Sequence, residues 1–327
     1  TPMSTRLAIL LLALILDRLI GDPDWLWRHV KHPVVLFGAA IGDADRLFNR
    51  GSAERRKAAG ILSIIALLWL AMVAGIALHG VLRPFGLAGL VVEAAIAAVF
   101  LAQKSLADHV AAVAAGLRTG GLDGGRKAVA MIVGRNPQTL DRAGVSRAAI
   151  ESLAENASDG VIAPAFWYAL LGLPGLLAYK MLNTADSMIG HRSERHRDFG
   201  WASARLDDFA NLVPARLTGL LFAAAAWTLH GATAARDALS VMLRDAPMHR
   251  SPNAGWPEAA MAAATGVTLS GPRLYGDTVA NEPWLNAAGR READAIDIDA
   301  ALALFWRAMT AFALLTMLAF YACSLLE

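Results

Sequence analysis

The chain has 327 residues, 56% of them hydrophobic and 18% charged, with a formal net charge of +2 and a mean hydropathy of +0.43. It is too apolar for an ordinary soluble domain and long enough for several membrane helices. The near-neutral balance, with no basic run interleaved with aromatics, excludes nucleic acid as a partner. The lone cysteine, Cys323, excludes an internal disulfide and any multi-cysteine metal site.

The pattern predicts an all-α, polytopic integral membrane helical bundle, a single domain over residues 1–327 in a lipid bilayer. Apolar helices are expected at 5–20, 58–82, 87–103, 161–182, 213–231 and 302–326. Polar, partly helical loops at 21–57, 104–158, 183–212 and 232–300 connect them. Thr1-Pro2 ahead of Met3 is set aside as an expression remnant or an upstream start. The run Leu7 to Ile20 has signal-peptide length but no small-residue cleavage pattern behind it, so a retained helix is expected, ending where Gly21-Asp22-Pro23 breaks it. In the next loop, Trp25 and Trp27 suit an interfacial belt. His29 and His32 lack a third ligand at a telling spacing and are read as structural or positioning groups.

Arg46, Arg50, Arg55, Arg56 and Lys57 place that loop on the cytoplasmic side of the span 58–82. The Arg83-Pro84 turn folds 87–103 back as an antiparallel partner, and Glu93 is an intramembrane carboxylate, a functional candidate unless it simply reaches the interface. The polar stretch to Arg147 holds isolated glycines but no Gly-Lys-Ser/Thr element, so it is not a P-loop, and Arg135 is an anion-contact candidate. The basic stretch 118–147 agrees with the first basic loop in side, which puts the N-terminus outside.

The central stretch, Ile150 to Leu217, sets two polar clusters around the apolar segment 161–182. Gly172, Pro174 and Gly175 interrupt that segment, which permits two half-helices instead of one span. If it re-enters, Glu155-Asn156-Ser158-Asp159 and Asn183-Asp186-Ser187 face one membrane surface; if it spans, they are on opposite sides. Lys180, Asn183, Asp186 and Ser187 fall at helical intervals, as do Asp207, Asp208 and Asn211 one segment later. Such oxygen donors suit Mg²⁺, which combines one or two carboxylates with phosphate oxygens. Arg192, Arg195, Arg205 and Arg216 suit phosphate or carboxylate. Taken singly, each charge reads better as part of a solvated loop; together, flanked by apolar helices, they read as an active site at the cytoplasmic face.

Downstream, 213–229 is short for a span, Glu258 with Pro257 matches helix-start chemistry, and Ser251 and Asn253 lie on a Pro/Gly-bracketed loop as substrate-contact candidates. Two other classes fit the same features. A Mg²⁺-dependent intramembrane prenyl-diphosphate transferase would use the Asp-Asp-x-x-Asn pattern, and a transporter would use the broken helix with Glu93.

The motifs Gly21-Asp22-Pro23 after Asp17, His32-Pro33-Val34, SLAENASDGVIAP from Ser152, YKMLNTADSMIGHRSER from Tyr179, FGWASARLDDFANLVPARLT from Phe199 and SPNAGWPEAAMA from Ser251 occur in that order. With them the chain resembles the integral-membrane adenosylcobinamide-phosphate synthases of cobalamin biosynthesis, the CbiB/CobD family. It departs from the family where Ala185 and Ala157 stand for Leu and Thr, losing no group needed for chemistry. The resemblance implies a Mg²⁺-dependent amide ligation with ATP as co-substrate. A propionate of adenosylcobyric acid would be joined to (R)-1-amino-2-propanol O-phosphate or aminopropanol, with the corrinoid as substrate rather than cofactor. Glu155, Asp159, Asp186, Asp207 and Asp208 are then expected to be catalytic, with all four Asp residues as metal candidates. Asn156, Ser158, Lys180, Asn183, Ser187, Arg192, Arg195, Arg205, Asn211, Arg216, Ser251 and Asn253 would bind substrate or phosphate. Cell (inner) membrane placement follows. No known ATP motif appears, and the sequence is silent on oligomeric state.

Overall fold

A computed structural model describes residues 2–134, 136–190, 193–275 and 278–327. The fold is all-α apart from two minimal two-stranded pairings, as the sequence predicts. The helices run α1 (Met3–Ile20), α2 (Asp24–Trp27), α3 (Pro33–Phe48), α4 (Ala53–Leu82), α5 (Gly86–Val99), α6 (Gln103–Thr119), α7 (Gly121–Val129) and α8 (Arg142–Ala157). They continue as α9 (Ala163–Leu171), α10 (Leu173–Ile189), α11 (Trp201–Ala210), α12 (Leu212–His230), α13 (Ala232–Asp245), α14 (Gly255–Thr265) and α15 (Ala295–Leu326).

Helix boundaries follow local chemistry. His32 caps α3, its ring accepting from the Val34 N–H ahead of Pro33 at the first turn. Ser52 Oγ caps α4 and Asp141 caps α8. The polar stretches expected to be partly helical are largely so, because their apolar residues recur with helical period and find partners.

Among the described residues, three helical stretches are long and apolar enough to cross a membrane: Ala53–Thr119, Leu212–His230 and Ala295–Leu326. The segment 161–182 is divided at Gly172, whose φ of +69° favours glycine. Its two halves, α9 and α10, pack on each other. The sequence reading of a broken segment therefore holds as a helix pair.

By contacts the chain divides into two compact units. The first comprises Thr1–Ala102, Ala163–Asn211 and Thr316–Glu327; the second, Gln103–Ile162 and Leu212–Leu315. In the first unit α10 is the hub, packed by α3, α4, α5, α9 and α11. Backbones come close there: a Cβ on Gly75 of α4 would lie 2.6 Å from Pro174 Cα, and one on Gly60 would lie 1.9 Å from the Phe199 carbonyl oxygen. Small residues at such crossings let membrane helices approach and gain van der Waals contact.

The second unit builds α12, α13 and α14 into a three-helix cluster, with α6 and α14 against α8 and α7 against both α6 and α8. Two short antiparallel strands, β1 (Leu269–Ser270) and β4 (Trp284–Leu285), pair beside it, with Leu269 opposite Leu285. Between them β2 (Arg273–Tyr275) and β3 (Thr278–Ala280) form a second pair. Glu151 of α8 receives the Ser270 N–H at 2.8 Å, which ties the strands to the helices.

Candidate active site

The first unit brings one predicted cluster together. Helix α10 presents Lys180, Asn183 and Asp186, and α11, packed against it, presents Asp207 and Asp208 with Asn211 just beyond its end. Asp207 is only 8% exposed. Its Oδ2 accepts a hydrogen bond from Asn211 Nδ2 at 3.0 Å, and Asn211 Oδ1 accepts the Tyr179 hydroxyl at 2.9 Å. The other oxygen, Asp207 Oδ1, is buried without a hydrogen-bond partner. Burial, then the charge of Asp186, push the Asp207 carboxyl up to about 7, with Asp208 adding to the push and the Asn211 and Asn183 amides opposing it. Asn183, Asp186, Asp208 and Asn211 are thus all near enough to act on one carboxylate. Arg205 pairs with Asp208 at 2.9 Å.

Two further residues of the first unit have other partners. Ser187 Oγ donates to the Asn183 carbonyl of its own helix. Arg195 is engaged by Asp45 of α3 through Nε at 3.1 Å and Nη2 at 2.6 Å; burial of that carboxyl is outweighed by the Arg195 and Asn49 contacts, which hold it below the ordinary range. Arg195 thereby fastens the loop after α10 to α3. Arg192 and Arg135 lie outside the described residues.

In the second unit, α8 continues into a π-helical turn, Ser158–Ile162. Pro164 offers no N–H to the Gly160 carbonyl, so the wider turn absorbs the missing bond; π-turns inside α-helices recur at functional sites. Ser158 Oγ in this turn is buried without a partner, Asp159 is half-buried, and Glu155 and Asn156 are exposed, with Asn156 Nδ2 donating to the Ser152 carbonyl at 2.9 Å. Arg216 donates to the Leu212 carbonyl and lies 4.3 Å from the centre of the Trp256 ring. Ser251 Oγ accepts the N–H groups of Asn253 and Ala254, so it shapes the entry to α14, and Asn253 is buried.

Sequence reasoning missed two contributors to the first cluster. Ser203 lies four residues before Asp207, on the same face of α11, and its hydroxyl is also buried without a partner; the spacing was readable, the burial was not. His32, read from the sequence as a structural or positioning group, has Nε2 3.9 Å from Asp22 and lies in the field of Lys180. Its burial lowers its pKa despite the Asp22 charge.

Among the described residues, no group of three or more His, Cys, Asp or Glu could hold a metal ion by itself. The buried Asp207 oxygen with Asp186 beside it nevertheless fits Mg²⁺, which takes one or two carboxylates and completes its shell with water and phosphate oxygens.

The fold and this cluster define a helical membrane protein with a buried acid–amide site. The family model for CobD/Cbib proteins matches residues 10–305. The chain is 60% identical over 311 residues to the cobalamin biosynthesis protein CobD of a Sinorhizobium species, covering 94% of this chain and 96% of that one. It is 58% identical over 312 residues to its Brucella suis counterpart (94% and 95%), and 50% identical over 303 residues to one from Rhodobacter capsulatus (92% and 93%). No solved structure matches. The chain belongs to the CobD/CbiB family, and with membership goes a role in cobalamin biosynthesis.

Proposed function

We propose that the chain forms adenosylcobinamide phosphate by ATP-dependent amide ligation. A propionate carboxylate of adenosylcobyric acid would be joined to the amine of (R)-1-amino-2-propanol O-phosphate, or to aminopropanol. Family membership supports the pathway. The observation that supports chemistry at this place is Asp207: an unsatisfied carboxylate oxygen inside a protein, with a second carboxylate beside it, marks a site completed by a ligand.

A carboxylate is a poor acyl donor because its leaving group would be oxide. The propionate oxygen therefore attacks the γ-phosphorus of ATP, releasing ADP and giving an acyl phosphate. The amine then attacks the acyl carbon, the C–N bond forms, and inorganic phosphate leaves. Mg²⁺, held by Asp186 and Asp207, would supply charge stabilisation for the transferring phosphoryl group. Asn183 and Asn211 orient these carboxylates, and Arg205 and Lys180 supply cationic donors for phosphate oxygens. A base must accept the ammonium proton before attack; the carboxylates of this cluster are its candidates. Asn156, Ser158, Arg216, Ser251 and Asn253 are proposed as substrate contacts on the family resemblance. The basic residues ahead of α4 support a cytoplasmic site at the inner membrane.

Purified protein in detergent, given adenosylcobyric acid, aminopropanol phosphate and Mg²⁺, should form adenosylcobinamide phosphate and ADP in equal amounts, and neither without ATP. Product formed without nucleotide consumption would overturn the ligase reading. The prenyl-transferase and transporter readings gain nothing from the family.

A further inference from the structure

A second polar site lies within the first unit, at the far end of α4. Gly60 meets Phe199 near the basic start of that helix, whereas Gly75 meets Pro174, fifteen residues and roughly 22 Å further along. There a cavity of about 320 Å³ is lined by Arg6, Ile76, His79, Glu93 and residues 170–174, and an adjoining one of about 250 Å³ shares His79 and Glu93. Glu93 is 2% exposed and engaged on both oxygens: the Tyr168 hydroxyl donates to Oε1 at 2.7 Å, and His79 Nδ1 donates to Oε2 at 2.8 Å.

Arg6 has no such counterpart. Its Nη1 donates to the Leu170 carbonyl, its Nε is buried without a partner, and no carboxylate among the described residues lies within ion-pair distance of it. Glu327, whose charge it feels, accepts from the first turn of α1. The carboxylate in the same lining, Glu93, is already engaged on both oxygens, so the half-buried guanidinium keeps an open donor for an anion. The start of α10, which has no side-chain cap, opens on the same cavity, where Arg6 already holds the Leu170 carbonyl at the end of α9. Leu170 and Leu171 at its mouth, with Ile76, are exposed apolar residues suited to acyl chains.

We propose that this cleft binds a phosphate group, that of a phospholipid headgroup, with Arg6 and the α10 N-terminus as its ligands. Free inorganic phosphate shares the chemistry. Native mass spectrometry and thermal unfolding of the detergent-purified protein, with added phosphatidylglycerol or with inorganic phosphate, test it. Wild type should retain one phosphatidylglycerol and unfold at higher temperature with it, and Arg6→Gln should bind about tenfold or more weakly. Arg6→Lys, which keeps the charge, should retain part of the affinity and shows that the position tolerates change. Displacement of the lipid by millimolar phosphate assigns the site to the free anion. Equal lipid binding by wild type and folded Arg6→Gln, or no stabilisation of wild type by either phosphate source, overturns the proposal.

Discussion

At the residue scale, Asp207 sets the behaviour most open to measurement. Its carboxyl is raised from 3.8 to about 7, so the folded protein holds this proton more tightly than the unfolded chain between those values. Its contribution to stability is complete below the unfolded value and is lost as pH rises through about 7. Without Mg²⁺, thermal stability should therefore fall from about pH 4 to about pH 7 and level off above it, and Asp207→Asn should flatten that fall while stabilising the protein at pH 8, on the order of a few kcal/mol. The same substitution, like Asp186→Asn, should abolish product formation. A cation and a proton compete for the carboxylate, so the Mg²⁺ requirement should ease from pH 6 to 8. An Asp207→Asn protein that is destabilised at pH 8, or one that turns over normally, contradicts this role. The four-residue spacing of Asp207 and Asn211 was legible in the chain. That Oδ1 is left unsatisfied was not, because it depends on α10 packing over that face. Glu93 was likewise visible as a candidate, but its Tyr168 partner is 75 residues away, beyond any local pattern.

At the scale of elements, close helix crossings separate glycines that matter from those that do not. A methyl on Gly75 would press on Pro174 backbone, and neither backbone can rotate away, whereas a methyl on Gly80 of the same helix meets nothing within 4 Å. Gly75→Ala should destabilise the protein by about 1–3 kcal/mol. Gly80→Ala should be neutral or stabilising by up to about 1 kcal/mol through helix propensity. Chemical or thermal unfolding of the pair in one detergent checks both. The sequence marked the break at Gly172 because glycine and proline act locally on backbone. It could not mark Gly75 apart from Gly80, since a crossing point is set by the partner helix. The helices inside the polar loops were only partly legible for a related reason: α13 and α14 are short, and their apolar faces have meaning only against α12.

At the scale of the whole molecule, the disposition of α9 and α10 toward the bilayer decides which side the Asp186–Asp207 cluster faces. The basic residues before α4 favour the cytoplasm for that end. Within the first unit, the Arg56–Asp198 pair and Lys57, 4.0 Å from the centre of the Trp201 ring, hold the chain between α10 and α11 to the same end of α4. The acidic cluster should therefore share the side of the basic loop, which requires the α9–α10 pair to enter and leave by one membrane face. A cysteine at Ser193, exposed in the connecting loop, reports this in a Cys323→Ser background. An impermeant maleimide should label it in inverted membrane vesicles and leave it unmodified in intact cells. Labelling in intact cells instead would place that loop, with Asp186 just before it and Asp207 just after, on the outer surface, away from cytosolic ATP. The amide ligation would then have to occur elsewhere on the chain.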